Sequence, residues 1–315
     1  MKLEDITKAI QPLDKAAMRT ARARQDSLTK PRGSLGRLEE LSIQLAGMKA
    51  DPLPSVERKA VIVMAADHGV TLEGVSAYPA GVTRQMVLNF LRGGAAINVL
   101  AHQARARVTV VDIGVASDFE PLPGLIRRKV MCGTRNLARG PAMTREEAEQ
   151  ALQVGMDVLQ QEASGGLDLV AAGDMGIGNT TPSSAIASAM TGLPAAQVVG
   201  RGTGIDDDGL ERKRNVIEQA LTVNQPNASD AMDVLHKVGG LDLAGLAGVM
   251  IAAATRRIPI VLDGFISTAS AMIAVGLAPD VRKYMIASHR SVEIGHRVML
   301  QHLKLVPLLD LDLRL

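Results

Sequence analysis

The sequence has 315 residues, 47% apolar and 22% charged, which is enough for one large core or two smaller ones and excludes disorder as the dominant state. Thirty-five basic and 33 acidic residues leave a net charge of +2 with no long basic run, so no nucleic-acid surface is indicated. A single cysteine, Cys132, excludes an intrachain disulfide and no Cys/His cluster has zinc spacing, so a reducing, cytoplasmic setting is expected.

The first residues, Met1 to Lys15, carry acids and no apolar core, unlike a signal peptide. The first 50 or so residues read as helical and charge-mixed, with no strand. Arg19 to Arg24 reads as a solvated helix face. Lys30-Pro-Arg-Gly-Ser-Leu-Gly36 reads as a turn that launches a helix over Arg37 to Met48.

Strands are then predicted at 61–66, 108–113, 167–171, 259–263 and 285–288. Helices are predicted at about 83–103, 144–163, 182–191, 209–222, 242–256, 266–277 and 291–303. Thr144 and Glu147 have the spacing of a capping box. Leu243 to Ala254 is too short for a bilayer crossing, which takes about 20 residues, and reads as a buried helix, so no membrane anchor is expected. Continuous apolar strands separated by helices imply an α/β fold: three layers, doubly wound, with a mainly parallel sheet and a small helical subdomain.

Polar and small residues gather where these strands end: Asp67-His68-Gly69, Asp112 to Gly114, Gly173-Asp174-Met175-Gly176, Asp263-Gly264 and Ser288-His289-Arg290-Ser291. Turn and cap chemistry accounts for each loop alone. The five together point to one cleft beyond the carboxyl ends of the strands.

The stretch Gly173-Asp-Met-Gly-Ile-Gly-Asn-Thr-Thr-Pro182 follows a strand and precedes a helix. Gly176 and Gly178 allow close backbone approach, Asn179 to Thr181 offer side-chain hydrogen bonds, and the helix start favours an anion. A Walker loop is excluded because no Gly-Lys-Ser/Thr occurs, and the Rossmann fingerprint because its third glycine is missing. Arg201-Gly-Thr-Gly204 is a second donor-rich loop, with Lys213 one helix further on and able to return to the same cleft. Asp206 to Asp208 reads as an acidic helix start rather than a metal site. His68 and His289 are either site residues or structural hydrogen bonders.

Taken with Lys30 to Glu39, Ala65-Ala-Asp-His-Gly-Val70, Gly200-Arg-Gly-Thr-Gly204 and Leu262-Asp-Gly-Phe265, the glycine stretch resembles the nicotinate-nucleotide:dimethylbenzimidazole phosphoribosyltransferases of cobalamin biosynthesis, from about residue 27 to the end. The resemblance implies transfer of phosphoribose from nicotinate mononucleotide to dimethylbenzimidazole or a related base, including phenolic ones, with no cofactor and no metal. It implies a homodimer of chains divided into a small helical subdomain (1–55, completed in the family by C-terminal helices) and a nucleotide-binding α/β domain (56–315).

It also implies residue roles. Gly176, Gly178, Asn179, Thr180, Arg201, Gly202, Thr203, Gly204 and Lys213 would surround phosphate and ribose. Asp263, Gly264, Phe265 and Ser291 would lie by the nicotinate, and Tyr78, Met86, Met175 and Leu315 would line the base slot. Asp174 would stabilise positive charge on the sugar, with Lys213 in support. Two departures stand out. Asp174 replaces the glutamate associated with the family. The family's general base is a glutamate in a Gly-Glu-Gly-Thr-Gly stretch that would fall two residues past Leu315, and a protein cut before it would be expected to lose turnover and stability. The rival functions are a non-catalytic nucleotide-binding module and a nicotinamide dinucleotide-dependent oxidoreductase.

Overall fold

A computed structural model describes residues 8–313. Two helices, α1 (Lys15–Ser27) and α2 (Arg37–Lys49), pack on each other through Ala17, Ala21, Ile43 and Ala46. The flank of α1 from Arg19 to Arg24 is exposed apart from Ala21. Six strands follow: β1 (Lys59–Ala66), β2 (Ala106–Gly114), β3 (Leu125–Arg127), β4 (Leu169–Met175), β5 (Ile260–Leu262) and β6 (Met285–Ala287). They form one sheet, ordered β3-β2-β1-β4-β5-β6, with every neighbouring pair parallel.

Alternation along the strands feeds two cores. Ile62, Met64, Ala66, Val111, Ile113, Val170 and Ala172 face the larger one. Val61, Val63, Ala65, Val108 and Val110 face the smaller, covered by α3 (Val82–Leu91) and α4 (Ala96–Gln103). The sequence predicts one helix over 83–103; the structure breaks it at Gly93-Gly94, where Gly93 adopts a φ of +77° that a helix cannot continue. The larger core is built with α5 (Arg145–Ser164), α6 (Thr180–Thr191), α7 (Ala195–Val198), α8 (Asp207–Asn224), α9 (Ala231–Val238), α10 (Leu241–Thr255), α11 (Phe265–Leu277) and α12 (Ile294–Leu303). The predicted capping box opens α5: the Glu147 amide donates to Thr144 Oγ1 at 3.2 Å and the Thr144 amide to Glu147 Oε2 at 2.7 Å.

The predicted apolar run at 243–254 is α10, buried over nearly its whole length. It lies backbone to backbone against α5. A methyl group on Gly155 would sit 1.9 Å from the Gly245 carbonyl oxygen, and one on Gly248 would sit 2.0 Å from that of Leu152. No described helix is long and apolar enough to cross a membrane.

At the amino edge of the sheet, Asp168 fastens three segments. Its carboxylate accepts from the Arg58 amide (3.0 Å) and guanidinium (2.9 and 3.2 Å), and from Lys49 Nζ at the end of α2 (3.0 Å). The Arg58 guanidinium, aided by Lys49, holds the Asp168 carboxyl far below the usual carboxylate range despite burial. A carboxyl lowered on folding stabilises the fold above its unfolded value, near 3.9, and loses that contribution as pH falls further. Asp168→Asn is therefore expected to lower stability at pH 7 by about 1–3 kcal/mol. The same variant should flatten the loss of stability below about pH 4, as read by urea denaturation across pH. An unchanged acid slope would show that Asp168 does not carry it.

Candidate active site

All strands run the same way, so their carboxyl ends share one edge. The winding direction reverses between β1 and β4, the place where such sheets open a crevice. The loops after these two strands meet there. A methyl on Gly176 would lie 2.5 Å from the Ala66 carbonyl oxygen and 2.8 Å from His68 Nε2. One on Gly178 (φ +89°) would lie 2.7 Å from Thr71 Cγ2. The glycines therefore serve close approach, and the Ile177 amide is fixed by donating to Thr83 Oγ1 at 3.1 Å.

The second glycine loop comes to the same place. A methyl on Gly202 (φ +51°) would lie 2.8 Å from Thr180 Oγ1 and 3.1 Å from Lys213 Nζ. Lys213, fully buried on α8, donates to Thr180 Oγ1 at 2.7 Å. Burial pushes the Lys213 ammonium down to about 8, against the pull of Glu293. The Gly202 amide donates to Glu293 Oε1 at 2.9 Å, while Glu293 Oε2 is buried without a partner. α6 starts with no acidic side chain and no side-chain cap, so its positive end is not internally neutralised. α8 differs: the Asp206 side chain caps its Gly209 amide, as its acidic start predicts.

Other expected residues lie near these loops or at the end of the neighbouring β5. Thr203 Oγ1 accepts from the Ala77 amide at 3.0 Å, tying the second loop to Tyr78, which is 55% exposed. Met86 and Met175 pack against the smaller core. On the other side, Asp263, Gly264 and the buried Phe265 follow β5, with Asp263 Oδ1 3.7 Å from His289 Nδ1. Ser291 is buried; its amide donates to His296 Nδ1 at 2.9 Å, and the Glu293 amide donates to its hydroxyl at 3.3 Å. Burial and His289 push His296 down to about 4, so its Nε2 carries the proton given to Thr268 Oγ1 at 3.0 Å. Arg201 turns onto its own loop, donating to the Ile205 carbonyl at 2.9 Å and to Asp207. Leu315 lies outside the described residues.

Asp174, half-buried at the end of β4, accepts from Asn179 Nδ2 at 2.8 Å. Burial and the nearby Asp242 charge push its carboxyl up to about 7; Asn179 and His68 draw it down. The sequence reading missed Asp242, Glu293 and His296. Asp242 falls in the first turn of an apolar helix, and Glu293 and the start of α12 fall inside one predicted helix over 291–303. The Gly239-Gly240 pair before Asp242 is the signal that a close approach was being made.

A phosphoribosyltransferase family model matches residues 10–315. A nicotinate-nucleotide–dimethylbenzimidazole phosphoribosyltransferase of Desulforudis audaxviator is 59% identical over 306 residues, 97% of this chain and 87% of the relative. The chain belongs to this phosphoribosyltransferase family. A Geobacter sulfurreducens protein of the same name is 55% identical over 99% of this chain and 89% of its own length. Among solved structures, CobT from Thermus thermophilus superposes with a TM-score of 0.92 at 50% identity, over 95% of this chain and 90% of that one. These phosphoribosyltransferase relatives favour the transferase over both rival functions.

Proposed function

We propose that this protein transfers the phosphoribosyl group of nicotinate mononucleotide to a ring nitrogen of dimethylbenzimidazole or a related base, giving α-ribazole 5'-phosphate, nicotinate and a proton. The observation that carries the reading is the meeting of Thr180, Gly202 and Lys213 beside Asp174 in the crevice between β1 and β4. That cradle, with Gly176, Gly178, Asn179, Thr203 and Gly204, takes the phosphate and ribose; Arg201 reaches it by turning from Asp207. Asp263 to Phe265 and Ser291 flank the nicotinate.

The chemistry follows from charge. The leaving nicotinate is a pyridinium that becomes neutral as the glycosidic bond breaks, so it needs no acid. Positive charge spreads over the sugar, and the Asp174 carboxylate stabilises it. Holding two flat rings against one carbon supplies much of the remaining rate. The base's second nitrogen loses its proton to a general base, the glutamate that the resemblance implies. The segment through Leu313 runs beside Ser288 to Val292, with the Val292 amide donating to the Leu313 carbonyl at 3.2 Å.

Incubating the full-length protein with nicotinate mononucleotide and dimethylbenzimidazole should yield ribazole phosphate and free nicotinate by mass spectrometry; formation of neither ends the reading. Tyr78, Met86, Met175 and Leu315 form the base slot. A stacked aromatic contact contributes about 1 kcal/mol, so Tyr78→Ala should weaken base binding by about threefold to tenfold in calorimetry and leave the nucleotide unaffected. The homodimer, the cytoplasmic location and the division of the chain near residue 55 belong to the same proposal.

A further inference from the structure

We propose that His68 and Asp242 are positioning residues for Asp174: a buried imidazole–carboxylate pair that clamps the Asn179 amide against the Asp174 carboxylate and balances its charge. The inference rests on the role given to Asp174 above. It begins with Asn179, whose side-chain nitrogen has two hydrogens. One goes to Asp174 Oδ1 at 2.8 Å and the other to Asp242 Oδ2 at 3.4 Å. Both partners are acceptors, which fixes which end of the amide faces them.

The same Asp242 oxygen lies 3.3 Å from His68 Nε2, and neither side chain has any exposed surface. Asp242 Oδ1 is occupied by the Leu243 amide at 2.9 Å, in the first turn of α10 where negative charge is favoured. The imidazole cannot turn away. A methyl on Gly176 would lie 2.8 Å from its Nε2, and one on Gly240 2.5 Å from its Cε1. Two loops are thus built without side chains so that the ring fits between them. Its position joins the end of β1, the start of α10 and the end of β4.

The charges facing this chain of contacts are Asp67, Asp174 and Asp242 around His68, and Asp242, Asp263 and His68 around Asp174. A buried carboxylate without a countercharge is costly, and His68 is the group here that can supply one. Burial lowers the basicity of the ring, but Asp242, with Asp67 and Asp174, outweighs it and raises the pKa. Nδ1 of His68 and Oδ1 of Asp67 are both buried without a partner. A ring proton is therefore held by charge and by the single bond to Asp242.

The two partners act on Asp174 in opposite senses, which a purely structural role does not produce. In His68→Gln, Asp242 loses its countercharge, so the acidic limb of kcat/KM should move up by about one pH unit. In Asp242→Asn, repulsion is removed while Asp67 and Asp174 still favour the charged His68 ring, so the limb should move down by a similar amount. Carbon-13 spectra of labelled aspartate in the ligand-free variants should show Asp174 titrating with the same opposite shifts. Nitrogen-15 spectra of histidine-labelled wild-type protein should show the His68 ring still doubly protonated above the usual imidazole midpoint, a reading that stands even if a variant fails to fold. Shifts in the same direction, an unmoved limb or a neutral ring overturns the proposal. The spectra need no turnover, so failure of the transferase reaction remains distinguishable from failure of the positioning pair.

Discussion

Replacing Lys213 with methionine is expected to lower kcat/KM for nicotinate mononucleotide on the order of 100-fold, while making the ligand-free protein more resistant to unfolding. The two effects have one cause. Lys213 is fully buried and bonded to Thr180, with the Gly200 carbonyl at 3.5 Å. A charge-assisted hydrogen bond to phosphate contributes about 1.5–3 kcal/mol, or roughly 10- to 150-fold in binding. Without the cation, the incoming phosphate also meets the Glu293 carboxylate unscreened. In the absence of ligand the balance reverses. Burial lowers the ammonium from 10.5 to about 8, so its charged form opposes folding by on the order of 3 kcal/mol. A lysine lowered on folding destabilises while charged, so wild-type stability should rise as pH climbs from 8 toward 10.5. Lys213→Met should lack that slope. Steady-state kinetics and thermal denaturation at pH 7 and 9 read both effects. Retained kcat/KM would remove Lys213 from the phosphate cradle.

Gly155→Ala should cost about 2 kcal/mol or more of stability, although alanine is the better helix former by roughly 1 kcal/mol. The added methyl would lie 1.9 Å from the Gly245 oxygen and 2.9 Å from the Val249 nitrogen, both backbone atoms of α10 that cannot rotate aside. Overpacking of this kind costs about 1–3 kcal/mol, and here it displaces the helix on which β1, β4, α5 and α11 all pack. Adding Gly248→Ala strains the same interface from the other helix, so the two effects should not add. Gly81→Ala is the control: that position has φ −57° and open space around it, and should be neutral or slightly stabilising. Urea midpoints of wild type, the two single variants, their double and the control check this. An unaltered midpoint for Gly155→Ala would mean the helices do not touch there.

The strands were legible because each is a continuous apolar run, and the observed ones overlap all five predicted positions. β3 was not: Leu125-Ile-Arg127 is three residues long, and it becomes a strand by pairing with Val110 to Asp112. The spacing predicts one continuous helix over 83–103 because apolar residues carry through Gly93-Gly94, whose backbone angles no pattern displays. Within the site, Thr180, Gly202 and Lys213 are legible from residue type, since a glycine turn after a strand and a second donor-rich loop with a lysine one helix further on suggest an anion. The direction of Arg201 could not, because spacing does not say which way a side chain turns. Asp242 was invisible for a different reason. Its partner His68 is 174 residues away, and only the folding of α10 across the end of β1 brings them together.

The sheet places its two ionisable anchors at opposite ends: Asp168 where the strands enter, Asp174 where they leave. During a gradual acidification the exit end responds first, as Asp174 takes up a proton near pH 7. The entrance end holds until well into the acid range, because Asp168 sits far below ordinary carboxyls. Catalysis should therefore fade roughly three pH units before the framework loosens, leaving an intact but idle protein between.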